Sequence, residues 1–91
     1  MDPQYSPQAA FDDVASIVKD PPESVNFERA EKGLDFIATW MSDEDVNVIA
    51  KFIDSMMHQD EIEKKAYDSV ISILKNMNKE FGMTKDLKDN S

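Results

Sequence analysis

Apolar residues recurring every three or four positions, in runs broken first by Pro21-Pro22, constrain this chain more than anything else in it. That spacing places one apolar stripe on a helix; strands would need strict alternation, which is missing. The fold expected is all-α, a small antiparallel helical bundle of three to four helices with a frayed polar C-terminal tail. One domain spans residues 1–83, with helices at about 7–19, 26–41, 43–58 and 61–81, and a flexible tail covers 84–91.

Each boundary has a chemical cause. Ser6 can cap the first helix and Pro7 suits its first position. Phe11, Val14, Ala15 and Val18 then share a face, with Ile17 beside them, until Pro21-Pro22 removes the donors a helix needs. The second helix starts near Ser24–Asn26 and carries Phe27, Ala30, Leu34, Ile37 and Met41 as a seam. Phe36 and Trp40 widen that seam, and Trp40 is expected to be buried. Gly33 either lets a neighbouring backbone approach or simply costs about 1 kcal/mol, and the second reading is the expectation.

Met41-Ser42-Asp43-Glu44-Asp45-Val46 is the clearest local signal. Ser42 can cap the third helix, Asp45 holds the reciprocal capping position, and Met41 with Val46 can close a hydrophobic staple. Three acids in the first turn also suit the helix dipole. The third seam holds Val46, Ile49, Ile53 and Met56, and the fourth holds Tyr67, Val70, Leu74, Met77 and Phe81. Gly82 stands where a left-handed cap belongs. Extending the third seam unbroken would put Asp60 and Glu63 in the core, which is costly for unpaired carboxylates. A break at His58-Gln59, with Asp60 and Glu63 as a new capping box, is therefore expected over one long helix.

Charge narrows the function. Residues 1–63 carry fifteen acids against four bases, and residues 64–91 carry four against six, for a net charge of −9. Such a chain is repelled by nucleic-acid phosphates and anionic membranes, so direct binding to either is not expected. No run is long and apolar enough to span a membrane, and Met1 to Pro7 does not read as a secretory signal. The absence of cysteine removes disulfides and thiolate chemistry and fits a cytoplasmic location.

Few residues suggest chemistry. His58 is the single histidine, and on a continuous helix Asp54 and Glu61 would join it; a solvated histidine at a helix end is the simpler reading. Glu28 with Glu31 and Asp60 with Glu63 are carboxylate pairs spaced by three, a spacing that on a helix can hold Mg²⁺. In these acids the chain resembles the all-α nucleotide pyrophosphohydrolases, which would imply Mg²⁺-dependent hydrolysis of a nucleotide. That family's second pair runs Glu-x-x-Asp near a glycine, whereas here the order is Asp60 to Glu63 without one. No nucleophile elbow, phosphate loop or Ser/His/Asp set can be assembled from one histidine and two isolated glycines.

The expected function is therefore a small acidic interaction protein without catalysis, metal or cofactor, acting as an inhibitor or regulator. Asp12, Asp13, Glu28, Glu31, Asp35, Asp43, Glu44 and Asp45 would meet a basic groove on a protein partner, with neighbouring apolar residues setting register. If that groove normally holds nucleic acid, the protein would mimic it; compact acidic inhibitors, often virus-encoded, fit this profile. A self-associating helical subunit, such as a homodimer, is the alternative.

Overall fold

Four α-helices account for most of residues 5–80, which the computed structural model describes: α1 (Pro7–Lys19), α2 (Phe27–Ile37), α3 (Asp43–Met57) and α4 (Lys64–Glu80). Short 3₁₀ turns at Pro22–Ser24 and Ala38–Trp40 sit on either side of α2, and no strand occurs among the described residues. The fold is all-α, as the periodicity requires.

The helix starts follow side-chain capping. The Ser6, Asn26 and Ser42 oxygens accept hydrogen bonds from the backbone N–H of Ala9, Arg29 and Asp45, each at 3.1 Å. Each cap satisfies a donor that the first turn would otherwise leave unpaired, worth about 1 kcal/mol. Asn26 is thus the cap of α2 rather than its first residue. At the other end α2 stops as an α-helix at Ile37 and tightens to 3₁₀ geometry, the Met41 N–H donating to the Ala38 carbonyl at 3.0 Å.

The expected break between the third and fourth helices is present, but built differently. Gln59 takes a left-handed φ of 60°. Its N–H donates to the Met56 carbonyl at 3.0 Å, and the Asp60 N–H reaches back to Ser55 at 2.9 Å. These two bonds form a Schellman stop, a role normally taken by glycine. A left-handed residue cannot continue a right-handed helix, so the single long helix is ruled out. The Asp60–Glu63 capping box is not formed either. The helix starts three residues later than expected, at Lys64, where the Glu63 carbonyl accepts from Ala66 at 3.0 Å and Tyr67 at 3.3 Å. Asp60 and Glu63 are both exposed, so neither enters the core. Phe81, Gly82 and the expected tail at 84–91 lie outside the described residues.

Packing runs around the bundle in chain order, with a smaller contact from α1 to α4 closing the ring. Tyr5 meets Phe36 and Asp13 meets Arg29, so α1 and α2 run antiparallel. Phe52 meets Tyr67 edge-on at 5.0 Å, while Asp45 and Ile73 line one cleft, so α3 and α4 are antiparallel as well. The core is built from Phe11, Ile17, Ile37, Ile49, Ile53 and Leu74, all fully buried. Burying each such side chain is worth roughly 1.5–3 kcal/mol. No polar or charged residue is fully buried among the described residues.

Two expectations about α2 need correcting. Gly33 is not merely tolerated: a Cβ built there would lie 2.6 Å from the Ala10 carbonyl oxygen of α1. The two backbones approach so closely that only glycine fits. Trp40, expected in the core, is 49% exposed. The 3₁₀ tightening after Ile37 turns it off the seam, and it rests edge-on against Phe36 with ring centroids 6.0 Å apart. Of the three methionines placed on the seams, Met56 and Met77 are buried and Met41 is partly buried, while the neighbouring Met57 is 47% exposed.

Candidate interaction surface

The acids singled out in the sequence fall into three groups. Asp12 and Asp13 are half-buried on α1. Asp13 faces α2, where its Oδ2 accepts a 2.5 Å hydrogen bond from the Tyr5 hydroxyl and its Oδ1 lies 3.9 Å from Arg29 Nε. Burial, then the hydrogen bond and charge of Asp13, push the Tyr5 phenol up to about 12. The Tyr5 ring packs against Phe36 with centroids 5.2 Å apart, and Lys32 Nζ sits over it, 5.2 Å from its centroid. Asp13 therefore helps fasten Tyr5, just upstream of the Ser6 cap, to the α1–α2 pair. The sequence carried no periodic signal for Tyr5, because it lies outside every helix.

The second group is Glu28, Glu31 and Asp35, all exposed on α2. At 100° per residue they fall within about 60° of one another, centred about 125° from the buried stripe of Ala30, Leu34 and Ile37. Two cations share this helix, but both lean toward α1, Arg29 to Asp13 and Lys32 to the Tyr5 ring. The outward face of α2 is thus left acidic.

The third group is the first turn of α3. Asp43 and Glu44 are exposed, while Asp45 is half-buried and lines a cleft of about 160 Å³ with Trp40, Met41, Ile73 and Asn76. Ser42 caps this turn, so the capping role of the run is met by the serine. Among the described residues no ion pair reaches Glu28, Glu31, Asp35, Asp43 or Glu44.

The carboxylate pairs do not converge. Glu28 and Glu31 lie on the outward face of α2, whereas Asp60 and Glu63 lie in the α3–α4 connection, off any helix. Among the described residues no three His, Cys, Asp or Glu side chains gather closely enough to hold a metal ion. His58 caps α3 with its Nδ1–H donating to the Asp54 carbonyl at 2.9 Å, and the Asp54 carboxylate is 3.5 Å away. That backbone hydrogen bond, then the Asp54 charge, raise its pKa above the usual histidine value. Glu61 is separated from this pair by the chain reversal at Gln59.

A further surface feature had no sequence signal. Around the α3–α4 turn three adjoining hollows, of about 350, 290 and 250 Å³, expose apolar side chains. No helix among the described residues is long and apolar enough to cross a membrane. Comparison of the chain with known protein families, with curated proteins and with solved structures finds no match.

Proposed function

We propose that this protein is a small binding protein, an inhibitor or regulator, whose acidic outer surface engages a basic groove on a protein partner. The observation that supports this is the outward face of α2, where Glu28, Glu31 and Asp35 stand exposed with no cation paired to them among the described residues. Exposed acids that do not hold the fold together cost stability through mutual repulsion, and binding a cationic surface would recover that cost. Asp43 and Glu44, exposed in the capped first turn of α3, add to the acidic surface. Asp13 is excluded from the binding set, because the fold already uses it to hold Tyr5.

The spacing suits a groove built for nucleic acid. At 1.5 Å per residue the three acids of α2 follow one another by about 4.5 and 6 Å. One strand of duplex DNA presents a charge about every 3.4 Å, which is the same order. A groove lined with lysine and arginine for phosphates would accept such a row, and the protein would then compete with the nucleic acid for it.

The test is capture from native lysate at low salt, elution in a salt gradient, and repetition with a Glu28→Gln/Glu31→Gln/Asp35→Asn variant. A partner retained by the native protein, lost by the variant and displaced by duplex DNA is the expected result. Equal retention by both proteins would sink the reading. Recovery of the native protein only as a stable dimer would favour the assembly subunit instead.

A further inference from the structure

The three hollows around the α3–α4 turn form one groove, since Ile62 lines the first two and Pro22, Met56 and Gln59 line the last two. Its floor follows a single stripe of α3 through Val48, Phe52, Ser55, Met56 and the Gln59 turn. These positions repeat every three or four residues, so the groove runs along the helix for about 16 Å. The opposite wall is the start of α4, with Ile62, Ala66 and Tyr67 half-buried. At the far end it opens beside Met57, which is 47% exposed, and Phe27. Adjacent methionines in a groove can repack around differing apolar guests.

The rim is predominantly acidic. Glu61 and Glu63 line the first hollow, Asp60 the second and Glu23 the third. Among the described residues Lys51 is the lone cation lining any of them. An apolar floor about three helical turns long, between carboxylates, is complementary to an amphipathic helix with aliphatic anchors and flanking lysine or arginine.

We infer that this groove is the docking site for a basic amphipathic helix of about three turns. Its anchors at i, i+4 and i+7 lie along α3, and its cations meet Glu23, Asp60, Glu61 and Glu63. The inference shares with the proposed function only the premise that the partner is basic; it places recognition at the α3–α4 corner, not on the α2 face.

The experiment is an NMR titration of the full chain, ¹³C-labelled at its methionine methyls, with a synthetic leucine–lysine peptide whose leucines follow that spacing. Met56 and Met57 are expected to shift while Met41 and Met77 stay. Met57→Lys, a change at an exposed position, is expected to weaken binding about tenfold or more. The same leucine pattern carried on glutamates is expected not to bind. Unmoved Met56 and Met57 signals, equal affinity for Met57→Lys, or equal binding of the glutamate peptide would each overturn the inference. Concentration-dependent shifts of Met56 and Met57 without peptide would assign the groove to a second copy of the chain and overturn it too. Running the Glu28→Gln/Glu31→Gln/Asp35→Asn variant alongside separates the two surfaces. Methionine shifts that survive in it support the corner groove whatever becomes of the α2 face.

Discussion

Replacing Gly33 by alanine sets two effects against each other, and the geometry decides which wins. On an isolated helix the change should stabilise by about 1 kcal/mol, because alanine is the better helix former. In this fold the new Cβ would lie 2.6 Å from the Ala10 carbonyl oxygen, 3.1 Å from Val14 Cγ2 and 3.3 Å from Asp13 Cβ. Val14 can turn, but a backbone oxygen cannot. To bring the nearest contact to an ordinary 3.4 Å, α1 and α2 must part by about 0.8 Å. A gap of that size forfeits roughly a quarter to a half of the dispersion energy of the atoms it separates. It would fall on the most extensive helix pair among the described residues. Overpacking of this kind costs about 1–3 kcal/mol, and a clash with an unyielding backbone oxygen belongs in the upper half of that range. After the gain in helix propensity, the net expectation is a loss of about 1–2 kcal/mol. For a domain of this size that lowers Tm by about 5–15 °C. Thermal melts followed by circular dichroism measure it, with Glu31→Ala on the exposed face of α2 as the control, expected to lie within about 0.5 kcal/mol of the native protein. A Gly33→Ala protein as stable as the parent or more so would show that helix propensity dominates, and the argument for a close α1–α2 contact would fall.

Two other perturbations probe the turn and the Tyr5 contact. Gln59→Gly should relieve a left-handed φ of 60° and raise stability by about 1 kcal/mol, visible as an increase in Tm; a decrease would mean the chain does not reverse there as described. For Tyr5 the folded phenol sits at about 12 against an ordinary 10.0, so the folded state favours the neutral form. Its contribution is fully present below pH 10 and is lost as pH rises through about 12, which urea unfolding across that window would record. Tyr5→Phe should flatten that dependence and cost about 1 kcal/mol at neutral pH by removing the bond to Asp13; an unchanged alkaline profile would argue against the contact.

Much of the fold was legible because helix formation is governed by near neighbours. Ser6, Asn26 and Ser42 cap the residues three positions on, and Pro21 follows directly on the end of the first helix. The apolar spacing that found Ile37, Ile49, Ile53 and Leu74 is also local, since it records which side of a helix must leave water. The acidity of the α2 face was legible for the same reason, because Glu28, Glu31 and Asp35 fall off the core stripe by count alone. The stop at Gln59 was less so. Its hydrogen bonds are local, but a glutamine carries no intrinsic signal for a left-handed turn, and the capping box at Asp60 and Glu63 looked sufficient.

Tertiary structure alone decided whatever depends on two elements meeting. Gly33 became a required contact only when α1 was laid across it, and Asp13 left the binding set only when Tyr5 and Arg29 were brought to its carboxylate. Trp40 stayed at the surface because α2 tightened before reaching it, leaving Phe36 as its neighbour. The groove beside Met57 exists because α4 starts only at Lys64, after the chain has reversed at Gln59. Helical periodicity says which residues must be covered, whereas interhelical geometry determines what covers them and what is left open.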